Sequence, residues 1–237
     1  MTQDPQSRTD SAGSDDSVGG ADDSVGGADG DKSWLRRPLT DSIDIASHYD
    51  GWAATYETDL VGTWRYEAPF EAARRLAAMG VSSPVLDIGC GIGVTGRALA
   101  AEGFSQIDGV DLSEVSLAAA HATGHYRHLR RHDFNEAPLP FPDDSYGAVE
   151  CVGVLSYAWE PRNLVLEMCR VVRPGGALVF THRTDLWKEQ NFEEVLNGLR
   201  DAGHLNDVDR SEPMPYMPGN EDFTDQIQVH YVSGRVR

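Results

Sequence analysis

The sequence predicts an α/β fold built on a doubly wound, mostly parallel sheet, and three observations predict it. From Pro84 onward, short apolar runs alternate with helical stretches, the pattern of strands joined by crossover helices. The first of those runs leads directly into a glycine cluster and then into a helix. The C-terminal stretch 226–236, QIQVHYVSGRV, alternates apolar and polar residues as a half-exposed antiparallel edge strand does.

Taken in chain order, residues 1–33 predict a disordered acidic tail. They carry the repeat DDSVGGA twice, and Asp, Ser, Gly and Ala bury too little apolar surface to offset chain entropy. Residues 34–80 predict an N-terminal helical lid. Ile45, Tyr49, Trp52 and Tyr56 fall at helical spacing, and Arg65–Met79 makes a second amphipathic helix stopped by Gly80. Residues 81–237 predict the core, with strands at 84–88, 106–110, 127–132, 146–152 and 176–182. Helices are expected near 93–102, 113–122, 160–172 and 190–202, and a Pro- and Met-rich loop at 212–219 precedes the C-terminal strand.

Composition narrows the function. The 237 residues include 20 Lys+Arg against 38 Asp+Glu, a formal net charge of −18, and Lys accounts for only two of the cations. A phosphate backbone needs a basic track, so nucleic acid is excluded as a partner. The apolar stretches fall short of the ~18 residues that a membrane span requires, and MTQDPQSRTD lacks the basic-then-apolar order of a secretory signal. Cys90, Cys151 and Cys169 are too scattered for a disulfide framework, and the eight His show no ligand spacing, so no metal is expected. The expectation is a reduced, cytoplasmic protein.

The chemistry concentrates in 85–100, VLDIGCGIGVTGRALA. Glycines after a buried strand let the backbone turn sharply and approach a ligand, and the helix that follows offers unpaired N–H groups. Asp111, at the end of the second strand, stands where a carboxylate grips both hydroxyls of an adenosine ribose. Gly91-x-Gly93-x-x-Gly96 also fits a dinucleotide fingerprint, but Asp87 precedes the first glycine. A carboxylate there suits a cationic ligand and repels a pyrophosphate.

These segments resemble the class I S-adenosylmethionine-dependent methyltransferases. Asp87–Gly93 (DIGCGIG) is similar to their first motif, Gly109–Ser113 (GVDLS) to the ribose-binding segment, Arg131–Phe134 (RHDF) to the adenine-edge motif, and Arg173–Leu178 (RPGGAL) to the turn into the fifth strand. Tyr49–Ala53 (YDGWA), Pro138–Pro142 (PLPFP) and Thr181–Thr184 (THRT) resemble, with GVDLS, the group that includes the methyltransferase-like protein of the Williams–Beuren syndrome region and its bacterial relatives. The resemblance implies a Rossmann-like, seven-stranded sheet with an antiparallel C-terminal strand, and S-adenosylmethionine as cofactor. It implies that Asp87 meets the methionine ammonium and that Gly89, Cys90 and Gly91 pass beside the methionine moiety. Asp111 takes the ribose hydroxyls, with Leu112 packing on adenine; Asp133 accepts from the adenine amino group and Phe134 offers its N–H to the ring. Cys151 and Val152 line the pocket near the sulfonium, and Tyr49, Trp52 and Tyr56 close over the methionine end.

For the acceptor, Cys151–Tyr157 (CVGVLSY) lacks the Pro-Pro clamp of base- and glutamine-directed amino methyltransferases. Ser156, Tyr157, Trp159, His182 and Arg183 lie at carboxyl ends of strands, where open α/β sheets bind ligands. Of these, His182 is the expected base and Arg183 the expected anchor for an acceptor carboxylate. A small-molecule methyltransferase leads. A protein methyltransferase, a non-catalytic S-adenosylmethionine-binding protein and a nicotinamide-linked oxidoreductase are the alternatives.

Overall fold

β1 (Val85–Ile88) is buried along its whole length and sits at the centre of the sheet, as its uninterrupted apolar run requires. It pairs in parallel with β2 (Ile107–Asp111) on one side and β4 (Tyr146–Cys151) on the other, and β3 (His128–Arg131) lies outside β2. β5 (Val172–Arg183) runs parallel to β4. β8 (Gln228–Val236) is antiparallel to β5, β6 (Leu205–Arg210) is antiparallel to β8, and the two-residue β7 (Met214–Pro215) also pairs with β8. The order is β3-β2-β1-β4-β5-β8-β6. This computed structural model describes 41–221 and 227–237, together with Leu35, Arg36, Leu39 and Phe223. The tail expected over 1–33 therefore lies outside the described residues.

α5 (Pro161–Val171) and α7 (Phe192–Asp201), with α6 (Thr184–Glu189) between β5 and α7, cover one face; Leu164, Val165, Met168, Phe192, Leu196 and Leu199 pack there against Leu86, Ile88, Val149 and Phe180. α2 (Ala68–Ala78) and α3 (Val94–Ala101) cover the other, against Val85, Ile107, Ala148 and Val179. Among the described residues no helix is long and apolar enough to cross a membrane.

Two expectations change. The stretch 34–80 is not one lid: α2 presents Ala68, Ala72, Ala73 and Leu76 to the sheet and is part of the core, because small residues four apart let it approach closely. α1 (Ser42–Trp52) and the π-helical turn Thr58–Thr63, with Leu35, lie instead over the carboxyl ends of the strands. β8 is an interior strand, not a half-exposed edge. Its polar positions are buried too, His230 Nδ1 donating to Ser211 O and Ser233 lying between β5 and β6. The outer strand β6, LNDVDR, is polar enough to read as loop, and β7 falls within the expected 212–219 loop.

Candidate functional site

Strand order reverses between β1 and β4, which leaves a crevice at their carboxyl ends. A cavity of about 780 Å³, open mouth included, fills it, a size typical of small-molecule sites. One end is built from the glycine loop. The N–H groups of Gly89 and Cys90 both donate to Val110 O (2.8 and 3.1 Å), which ties the loop to β2. Gly89 is at φ +72°, and a Cβ there would overlap the Val154 side chain. Gly91 N–H donates to Asp111 Oδ2 at 2.8 Å, and Ser113 N–H to Asp111 Oδ1 at 2.9 Å. A carboxylate has about four acceptor positions, so Asp111 keeps acceptor capacity for a ligand. Leu112 and Phe134 complete this end.

Behind the loop, Asp87 is fully buried and does not line the cavity. Tyr126 Oη donates to its Oδ2 at 2.7 Å while accepting the Gly96 N–H at 2.9 Å. A side chain at Gly96 would run into the Tyr126 ring, so the third glycine of the fingerprint makes room for a tyrosine rather than for a pyrophosphate. Asp87 pairs in register with Glu150 of β4, also fully buried. Asp87 Oδ1 and both Glu150 oxygens have no hydrogen-bond partner. Burial pushes the Asp87 carboxyl up to about 7, with donation from Tyr126 opposing and Asp111 adding to the rise; burial and then Asp87 push Glu150 well above the usual carboxylate range.

The other end of the cavity is aromatic. Tyr49 and Trp52 come from α1, Tyr56 from the turn after it, Tyr66 from the approach to α2, Tyr157 from the 3₁₀ turn Leu155–Tyr157, and Tyr216 and Phe223 from the segment after β7. α1 is held down by its ends. Asp41 caps it by accepting from Ile43 N and Asp44 N, Asp50 accepts from the Ser113 hydroxyl, and Trp52 Nε1 donates to Asp59 at 2.6 Å.

The expected site residues divide. Gly89, Gly91, Asp111, Leu112, Phe134, Val152, Tyr49, Trp52 and Tyr56 line the one cavity, as do Ser156, Tyr157 and Arg183. Cys90 is buried against the loop, its thiol near Gly109, and Cys151 faces the α5 side of the sheet, away from the cavity. Burial raises both thiols, so they stay protonated. Asp133 lies just outside, in a groove beside Leu112 and Arg131, where its Oδ1 accepts from Asn135 N. Trp159 is 60% exposed and not part of the wall.

His182 and Arg183 require correction. His182 projects to the opposite face of β5, 4.4 Å from the Phe192 ring centroid, with Nε2 on Gln190 Oε1. Burial lowers its pKa to about 4, and no acceptor in the cavity reaches it. Arg183 reaches the cavity, but its guanidinium is spent: it donates to both Asp185 oxygens (3.1 and 2.6 Å) and to the carbonyls of Leu35 and Arg36 (2.7 and 2.8 Å). It clasps the N-terminal segment over the cavity and is not an anchor for a carboxylate. Tyr66, Tyr216 and Glu150 were not anticipated. A glutamate inside YGAVECV and an aromatic inside MPYMPG were the visible signals.

Residues 86–180 match a family described as a methyltransferase domain. The human Methyltransferase-like protein 27 is 37% identical over 162 residues, 65% of each chain. The ubiquinone biosynthesis O-methyltransferase of Pseudomonas savastanoi pv. phaseolicola is 31% identical over 132 residues, 51% of this chain and 55% of that enzyme. The chain thus spans 65% and 55% of the length of these curated relatives. The solved structure of Haemonchus contortus phosphoethanolamine N-methyltransferase 2 superposes with a TM-score of 0.63 at 18% identity, over 83% of this chain and 59% of that one. Residues 86–180 thus match methyltransferase domains, proteins that use S-adenosylmethionine as methyl donor, and the chain shares the Rossmann-like fold of the solved methyltransferase.

Proposed function

We propose that this protein methylates a small molecule seated in the aromatic end of the cavity, with S-adenosylmethionine held at the glycine-loop end. The observation that carries this reading is the single cavity whose wall passes from Gly89, Gly91 and Asp111 to a ring of tyrosines. The residues present fit the donor. The remaining acceptor capacity of Asp111 suits a ribose diol, Leu112 and Phe134 offer apolar surface to a base, and a Cβ on Gly91 would meet nothing within 4 Å, so the backbone leaves room there. When bound, S-adenosylmethionine supplies a methyl group activated by its sulfonium. The chain's part is to hold the acceptor in line and exclude water, which α1 and the Arg183-held segment do by covering the cavity. The relative from Pseudomonas, an O-methyltransferase of ubiquinone biosynthesis, supports a small acceptor.

Calorimetric titration with S-adenosylmethionine, S-adenosylhomocysteine and NAD tests the donor site, beside an Asp111→Ala variant. Binding of both adenosyl ligands, weakened at least tenfold in the variant, is expected. Binding of NAD instead, or of none, overturns it. Radiolabelled methyl transfer into separated low-molecular-weight and protein fractions then tests the acceptor: label confined to protein contradicts the small-molecule reading.

A further inference from the structure

We infer that the aromatic end of the cavity is a cation cage, and that the acceptor is an uncharged nitrogen that becomes cationic as it is methylated. The second half rests on the methyl-transfer reading; the first half stands alone. Trp52 and Tyr56 rings meet at 4.7 Å, Tyr49 and Tyr157 edge-on at 6.1 Å, and Tyr66 and Tyr216 edge-on at 5.3 Å. Tyr49 Oη donates to Tyr157 Oη at 3.0 Å. The hydroxyls of Tyr66 and Tyr216 converge over Gly153, where a Cβ would stand 2.9 and 3.2 Å from them. The hydroxyl of Tyr56 has no protein partner among the described residues.

Charge decides what such a wall accepts. The ionisable groups that line it are Asp111, Arg183 and the five tyrosines. Arg183 is neutralised by Asp185, Asp111 belongs to the adenosine end, and burial keeps all five phenols protonated. Among the described residues no free cation lines the cavity, and Asp111, at the adenosine end, is the only lining group able to take a proton from an alcohol or phenol. Ring faces carry negative potential and stabilise cations. A phenolate, thiolate or carboxylate meets only unfavourable charge there. A neutral nitrogen needs no base. Its lone pair forms the N–C bond while the S–C bond breaks with both electrons left on sulfur, and the positive charge moves from sulfur to nitrogen inside the same cage. Any N–H proton leaves for solvent afterwards. The cage therefore holds the methylated cation more tightly than the neutral acceptor, which is differential binding toward the transition state.

Three probes of similar shape test this on the full chain, by calorimetry or Trp52 fluorescence: phenyltrimethylammonium, its neutral isostere tert-butylbenzene, and benzoate. The cation is expected to bind about tenfold more tightly than the isostere, and benzoate weakest. Tyr56→Leu and Tyr216→Leu abolish that preference, whereas Tyr56→Phe and Tyr216→Phe, which keep the ring, retain it and report that the fold is intact. Asp111→Ala loses the adenosyl ligands but keeps the preference, so failure of the donor site and failure of the cage are separable. Equal affinity for the three probes, binding of none, or a preference untouched by ring removal overturns the inference. With the donor bound, arylamine or heteroaromatic nitrogen is methylated and the matching phenol is not; the reverse selectivity overturns the acceptor class.

Discussion

The adenosine end of the cavity is assembled from nearly consecutive residues, Gly89 to Leu112, with Phe134 as its one distant member, whereas the aromatic end draws on segments scattered from Tyr49 to Phe223. The first relies on backbone: glycines at positive φ, N–H groups donating to one carboxylate, and a strand pair that holds them. The second relies on side chains of large area whose backbones share no regular arrangement. A backbone-built wall tolerates almost no substitution, since a Cβ or a lost acceptor changes the path of the chain. A ring-built wall can exchange one ring for another while keeping shape and potential. The glycine-loop end is thus suited to one constant ligand and the aromatic end to a specificity that shifts with few substitutions.

The largest effect that sharpens this contrast is at Gly89. Gly89→Ala introduces overlap with Val154 and a strained positive φ, and is expected to lower stability by about 3 kcal/mol; chemical denaturation measures it, and a Val154→Ala second change recovers only part. Asp111→Asn removes an acceptor shared by Gly91 N–H and the ribose, weakening S-adenosylhomocysteine binding by about 2 kcal/mol in calorimetry. Its affinity for aromatic probes stays unchanged if the two walls are independent.

Glu150 tests the layer behind both ends. The folded state holds the Asp87 and Glu150 carboxyls above their usual range, so it binds protons that the unfolded chain has released. Stability therefore falls as pH rises from about 4 through 7. Glu150→Leu removes two unpartnered buried oxygens, and is expected to add about 1–2 kcal/mol at pH 8 and to flatten the dependence between pH 5.5 and 8 in urea unfolding. The smallest effect belongs to Tyr49→Phe. It deletes one hydroxyl bond to Tyr157 but keeps the ring, costing about 1 kcal/mol of stability with probe binding preserved.

Much of this molecule was legible in one dimension. β1 to β4 and α3 to α5 follow the periodicity of their segments to within a residue or two, because each buries a face that its own spacing defines. That Gly89, Gly91, Asp111 and Leu112 meet at one cavity was legible for a similar reason: they lie along one strand–loop–helix unit and the end of the next strand. His182 was misplaced because a one-residue difference along β5 puts neighbours on opposite faces, and only the packing of Trp187 and Phe192 settles which face is which.

By itself the sequence determined the alternation of strands and helices, the central place of β1, and the glycine loop, all of which depend on local spacing and on residues that only a turn requires. Tertiary structure alone decided that β8 lies inside the sheet, that Glu150 stands opposite Asp87, that Arg183 is consumed by Asp185 and the 35–36 carbonyls, and that rings from distant segments enclose one cavity. These depend on register and on which strands become neighbours, and the free energy that selects them comes from burying surfaces far apart in the chain.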